Sequence, residues 1–472
     1  MRGGSQPWTV GPAETAELLE ASGAEAIETD APNAFQYVIM AGLYRLWAAR
    51  NDLMARNADA MVAVGPERIG PAFTPALFMQ GMAALFDART GAAETGLAIG
   101  RQFAAIVVDD PPDPSPKPEH NPWIVTGYVG LTALTQEDHR FAERVFTEVT
   151  RVERERMLVL YHNDSVVWQA ELLWRTGRWT DAVQAIMWGV EHAAFSDQAL
   201  SAWPRACLAR IQAGLGNRED AERQAALALE FSRSKQFHLI SVWAWHALAL
   251  DRLAVGEYEE ALGFTTQIAE RMDVSHITHP SFLWWEGEHI EALIRCGHVD
   301  EARRRLADLS ERARVCGVVV PRVHALRAEA LLGSTDACQR AFTLLDRVDV
   351  DMPFERARVH LVAAERLGSR EHAATAADIF AGLGAARWRE RAWALGDERM
   401  SHPVAAELTE AEPRVALVIG KGATNKQAAS ELYLSVKTVE YHLSNIYKKL
   451  GITTRARLAR IVAPLEAQPG IA

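Results

Sequence analysis

Cysteine is scarce: four in 472 residues, Cys207, Cys296, Cys316 and Cys338, with no C-x-x-C pair and no tight His/Cys spacing. That excludes a disulfide framework and a zinc module and fits free thiols in a reducing cytoplasm. Long apolar runs are also missing. The most apolar early stretch, Ala34 to Ala48, is interrupted by Gln36 and Arg45, and the opening MRGGSQPWTV has no apolar signal-peptide core. A cytoplasmic protein without membrane contact is expected. No G-x-x-x-x-G-K-[ST] run occurs, since Gly420-Lys421-Gly422 lacks the first glycine and the following hydroxyl residue, so a P-loop nucleotide site is excluded. Neither a cofactor nor a metal is expected.

Lysine is nearly absent from most of the chain. Only Lys117 and Lys235 precede a late cluster of Lys421, Lys426, Lys437, Lys448 and Lys449. Between Val404 and Leu465 nine Lys and Arg face five Glu, a local charge of +4 within a protein of net −11. The whole chain should be repelled by nucleic acid, so any DNA contact must be local to this segment. What is plentiful is apolar sequence, 49% of residues, enough for a large globular core.

Self-comparison finds a repeat in the body: glycine, four residues, then alanine, following an apolar helical run. It occurs as Gly177-RWTD-Ala182, Gly216-NRED-Ala221, Gly256-EYEE-Ala261 and Gly297-HVDE-Ala302, with glycines 39, 40 and 41 residues apart. Each glycine suits a left-handed helix end, the acidic residues suit the start of the next helix, and the alanine lets two helices approach. Gly368-SREH-Ala373, the shortened Gly333-STD-Ala337 and a degenerate copy from Gln136 to Ala142 extend the array. The unit resembles a tetratricopeptide repeat of lengthened period, which implies helix pairs stacked into a superhelix whose concave face holds a partner. Prolines at 111, 112, 114, 116, 118 and 122 break the pattern across 109–122. Residues 1–33 read as ragged, 34–396 as the repeat array, 397–406 as a linker and 407–466 as a separate small domain.

That domain spells LTEAEPRVALVIGKGATNKQAASELYLSVKTVEYHLSNIYKKLGITTR from Leu408 to Arg455. Thr409…Glu412 and Thr424…Gln427 are capping boxes, and Ser435 is an N-cap for a helix from Val436 to Leu450. At 100° per residue Val439, Leu443, Ile446 and Leu450 share one face, while Lys437, Tyr441, Ser444 and Lys448 lie opposite. The residues at fixed offsets, among them Leu408-Thr409, Glu412, Gly422, Asn425-Lys426, Ala429, Leu432, Ser435, Thr438-Val439, His442, Ile446, Lys449-Leu450-Gly451 and Arg455, resemble the LuxR-type helix-turn-helix domain. The chain is therefore expected to be all-α: a tetratricopeptide-like array followed by a small four-helix LuxR-type domain. Departures are Ala411 in place of the family's usual arginine, Pro413 in the first turn, and Ala428 at a branched core position.

The resemblance implies a transcription regulator that binds double-stranded DNA through the helix starting at Val436. It carries that role to Lys437, Thr438, Glu440, Tyr441, Ser444, Asn445 and Lys448. Lys437 and Lys448 suit phosphate, Tyr441, Ser444 and Asn445 suit base edges, and Glu440 can accept from a cytosine amino group. Asn425 and Lys426 open the preceding helix and suit a backbone phosphate. His442 fits a structural role. A fourth helix aligns Leu458, Ile461, Val462 and Leu465 at i, i+3, i+4 and i+7, which serves either a homodimer seam or packing on its own domain. RNA polymerase or a regulatory protein is a further possible partner of the body, and activation of transcription is what the family implies.

Body and module together resemble the C-terminal half of the large ATP-binding LuxR regulators, including the run Ile379-FAGLGA…Trp388…Arg391-Ala392. Whether a longer native protein carries their NTPase domain stays open. A receiver or acyl-homoserine-lactone domain would be an α/β unit, which the helical repeats contradict. Two other readings remain: a repeat scaffold whose module is non-functional or dimerising, and a metal hydrolase built on His276, His279, Glu286 and His289. The latter spacing matches no H-E-x-x-H pattern, and no enzyme is expected. Trp243, Trp245, Trp284 and Trp285, in adjacent repeats, serve either an effector pocket or core packing.

Overall fold

The computed structural model describes residues 11–26, 31–70, 73–88, 123–155, 159–196, 201–396, 412–420, 422–432, 434–449, 455 and 458. Among them every regular element is a helix. The region expected to be ragged contains a helix, Pro12–Ala26, which packs on Ala31–Trp47 through Ala16, Ala41 and Tyr44. Short apolar residues spaced along a polar segment carry too little hydrophobicity to announce a helix, and burial against a neighbour supplies the rest. The proline-rich stretch 109–122 and the linker 397–406 lie outside the described residues.

From Trp123 onward helices come in antiparallel pairs: Trp123–Thr135 with His139–Glu155, Val159–Arg175 with Trp179–Ser196, Ala202–Leu215 with Arg218–Lys235, and His238–Val255 with Tyr258–Asp273. Glu286–Arg295 with Val299–Cys316, Val320–Leu331 with Ala337–Leu345, and Pro353–Leu367 with Arg370–Leu383 follow, and Ala386–Gly396 closes the array. The repeat glycines Gly177, Gly216, Gly256, Gly297, Gly333 and Gly368 all sit at positive φ, and the alanines that follow them are buried. In the degenerate copy Glu137 takes the glycine's place, at φ 62°.

The first helix of each pair is the inner one. His238–Val255 buries nearly every residue, whereas Arg218–Lys235 buries only the stripe Ala221, Gln224, Ala225, Ala228 and Ser232. The array also winds back onto itself. The Glu137 carboxylate accepts from the backbone N–H groups of Val319 (2.6 Å) and Val320 (3.1 Å) and from Ser281 Oγ (2.7 Å), capping the distant helix Val320–Leu331. Arg391 donates to the Leu253 carbonyl at 2.8 Å, and a Cβ on Gly177 would meet Pro353 Cγ at 2.3 Å.

The concave face is consequently not an open groove. The non-helical stretch 274–285 enters it, and Phe282 meets the rings of Phe86, Trp168 and Trp243 at 5.0, 6.4 and 5.7 Å. Trp243 is 0% exposed and meets Trp168 and Phe282 edge-on and Trp203 at a tilt, and Trp284 lies under the Arg175 guanidinium at 4.3 Å. Trp285 is buried beside His289, and Trp245 is half-buried against the same core. Trp243 and Trp284 are thus packed in the core, and Trp285 borders a small cavity with His279, Glu286 and Arg312.

Charge lines the interior as well. Arg175 Nε donates to Glu171 at 2.7 Å, and Arg210 pairs with the other oxygen of Glu171. Arg358 joins Glu288 and donates to Glu291 at 2.7 Å, and Arg327 and His324 meet Glu355 at 2.8 and 2.9 Å. All eight carboxylates and guanidinia are buried. Burial pushes Glu171 up, but Arg210 and Arg175 outweigh it and hold the carboxyl at about 2.

Candidate nucleic-acid interface

Helix Glu412–Gly420 is followed by Asn425–Glu431 and Val436–Lys449, which pack around Val415, Ile419, Ala428, Val439, Leu443, Ile446 and Leu458. This core is separate from that of the repeats. Gly422 turns the chain at φ 93°. The capping box at the next helix is complete: Thr424 Oγ1 accepts from Gln427 N at 3.3 Å, and Gln427 Oε1 accepts from Thr424 N at 2.8 Å. The other box begins at Thr409, outside the described residues. Ser435 Oγ accepts from Thr438 N at 3.1 Å and thereby caps the longest helix of the module.

That helix divides as its spacing requires. Val439 and Ile446 are fully buried and Leu443 nearly so, while Lys437, Glu440 and Ser444 are exposed and Tyr441 is 66% exposed. Thr438 and Asn445 sit half-buried at the margins. The side chain of Lys448 lies outside the described residues. On the preceding helix Lys426 is exposed and Asn425 half-buried. Among the described residues neither Lys426 nor Lys437 has a carboxylate partner, so each charge is available to an anion. Helical geometry alone places Lys437, Glu440, Tyr441 and Ser444 on one exposed strip about two turns long, broad enough to meet the floor of a major groove.

Of the four residues aligned on the fourth helix, Leu458 is 0% exposed and belongs to its own domain's core. Ile461, Val462 and Leu465 lie outside the described residues. Two features escaped the sequence. Val436, first in its helix, is an apolar residue 41% exposed on the rim of the strip. Arg455 reaches back to the turn before Asn425, donating from Nη1 to Asn425 Oδ1 at 3.1 Å and from Nη2 to the Ala423 carbonyl. Nothing in the spacing of an arginine thirty residues away marks it for this contact.

The histidine set does not converge. His279 Nδ1 accepts from Ser281 N at 3.2 Å, His289 Nδ1 bonds Thr265 Oγ1 at 2.9 Å, and Glu286 pairs with Arg312. Among the described residues no group of three or more His, Cys, Asp or Glu is placed to hold a metal ion. Nor is any helix there long and apolar enough to cross a membrane.

Comparison with known proteins agrees with this geometry. The family described as "Bacterial regulatory proteins, luxR family" matches residues 406–462. Over 64 residues the chain is 34% identical to the transcriptional regulatory protein LiaR of Bacillus subtilis, covering 14% of this chain and 29% of LiaR. Over 50 residues it is 42% identical to the response regulator VraR of Staphylococcus aureus, covering 11% of this chain and 24% of VraR. The similarity thus spans under a third of those relatives' length and falls on the module. The body is similar to the crystal structure of a Rap protein complexed with competence and sporulation factor: TM-score 0.51, 12% identity, covering 80% of this chain and 99% of that one. At that identity the likeness is one of fold, a helical repeat array.

Proposed function

We propose that this chain, whose residues 406–462 form a LuxR-family helix-turn-helix domain homologous to those of LiaR and VraR, is a cytoplasmic, sequence-specific transcription regulator that acts on promoter DNA as a homodimer. The observation that carries the assignment is the exposed strip of Val436–Lys449, polar and aromatic on one side and fully buried on the other. Lys437 and Lys448 grip phosphate, as do Asn425 and Lys426 on the preceding helix. Tyr441, Ser444 and Asn445 face base edges with Thr438 at their margin, and Glu440 accepts from cytosine N4 and repels misplaced phosphate. Ile461, Val462 and Leu465 supply the dimer seam. Residues 407–466 form the DNA-binding domain, joined by 397–406 to the array, which docks a regulatory molecule or polymerase and passes its state on as activation. The Rap protein of similar fold, captured with competence and sporulation factor, supports a docking role for the body.

Selection of random DNA duplexes on the purified full chain at near-physiological salt tests this. The expected result is an enriched inverted repeat with half-sites about 10 base pairs apart. Absence of any enriched sequence overturns the assignment and favours a repeat scaffold.

A further inference from the structure

Arginine has donors only. Because Arg455 Nη1 touches the Asn425 side chain at 3.1 Å, the atom it touches is the amide oxygen, and the amide's two N–H donors are turned the other way. Arg455 Nη2 meanwhile holds the Ala423 carbonyl, so one guanidinium fixes both the turn and the first residue of helix Asn425–Glu431. Thr424, between them, is locked by its capping box with Gln427. Three residues after Arg455, Leu458 is sealed in the domain core, which anchors the arginine's own backbone.

We infer that Arg455 is a positioning residue for DNA binding: it sets the Asn425 amide as a pure donor aimed at a phosphate and ties that donor to the stretch that Leu458 anchors in the domain core. The inference rests on the proposed DNA-binding role. A phosphate oxygen only accepts, so an asparagine free to flip would offer it the wrong end half the time. Lysine cannot replace the fork, since an ammonium is a point donor without two parallel N–H groups.

The test measures affinity of the full chain for its selected duplex, and the slope of log K against log salt, with the module's amide NMR signals reporting its fold. Asn425→Ala is expected to weaken binding at least about ten-fold, the worth of one hydrogen bond to a charged group, and Arg455→Ala about two-fold, since an amide left free to flip presents its donors half the time. The double variant should be no weaker than Asn425→Ala, because without the amide Arg455 has no donor to position. Arg455→Lys should bind like Arg455→Ala. Asn425→Asp keeps an acceptor for Arg455 and hence the fold, yet offers phosphate no donor, so it should bind at least as weakly as Asn425→Ala with the module's signals preserved. Arg455→Ala should leave the salt slope unchanged. A slope lowered by about 0.9 would make Arg455 itself a phosphate ligand, and multiplying losses in the double variant, or wild-type affinity for Asn425→Asp, would equally overturn the positioning role. A parent chain that enriches no duplex instead removes the DNA-binding assignment on which it rests.

Discussion

The repeat body and the C-terminal module place basic side chains on helices, and they put them to opposite use. In the body Arg175, Arg210, Arg327 and Arg358 are among the largest fully buried side chains, each closed onto a carboxylate of its own or a neighbouring inner helix. In the module Lys426 and Lys437 stand exposed, with no carboxylate partner among the described residues. The chemistry follows the residue type. A guanidinium is weakly hydrated and forks onto two acceptors, so it can hold two helices in register inside a protein, whereas a lysine ammonium on a flexible stem keeps its water until a phosphate replaces it. An acidic chain with few lysines can therefore confine anion binding to one short segment.

The comparison breaks most violently at Glu171, which closes both Arg175 and Arg210 from inside the array. Glu171→Ala leaves two buried cations without their shared partner, and removing one member of such a buried set costs about 3–5 kcal/mol. Urea unfolding followed by tryptophan fluorescence should show that loss, since Trp174 and Trp284 lie against the two guanidinia. Affinity for the selected duplex, measured at low temperature where the body is still folded, should stay at the parent value. A stability change under 1 kcal/mol would mean that the interior charges are not coupled as drawn.

How much of this was visible beforehand depended on how far each cause reached along the chain. The turns at Gly177, Gly216, Gly256 and Gly297 and the Thr424 box were legible because their chemistry lies within five residues. The strip on Val436–Lys449 was legible because helical period alone sorts it. Glu137 was legible only as a degraded turn, since its reason for standing at a left-handed position is a capping contact with Val319 and Val320 some 182 residues on. The buried arginines were opaque because Arg and Glu on a helix ordinarily mark a solvated face. Leu458 was placed on one aligned stripe with Ile461 and Val462, and three-residue spacing does not tell a domain core from a dimer seam.

Histidine sharpens the comparison through pH. Burial, reinforced by Arg210 and Arg358 against the pull of Glu288 and Glu171, lowers His246 to about 4. Its folded value thus lies below the usual 6.5, so below that pH the unfolded chain binds the extra proton, and stability present above 6.5 drains away as pH falls towards 4. At pH 5.5 the share of His246 is about 1 kcal/mol, and Glu171, which titrates only below its unfolded value of 4.5, contributes nothing in that window. His246→Met should shrink the difference in unfolding free energy between pH 7.5 and pH 5.5 by that amount. An undiminished difference would place the proton uptake on other buried histidines, of which His139 and His279, both lowered to about 3 by burial, are the first to replace in turn.

The smallest stability effect belongs to Lys437, and there the contrast with Glu171 becomes complete. Lys437 is exposed, so Lys437→Gln should shift the unfolding free energy by less than about 0.5 kcal/mol. A side chain that contributes so little to the fold can still displace a condensed counterion from DNA, and each such contact adds about 0.9 to the slope of log K against log salt. Lys437→Gln should therefore lower that slope by about 0.9 for the selected duplex and for an unrelated duplex alike, because phosphate carries no sequence. If the slope falls only with the selected sequence, Lys437 meets a base edge such as guanine O6 and N7. The strip on Val436–Lys449 would then read sequence from its first turn, with phosphate held by the flanking elements.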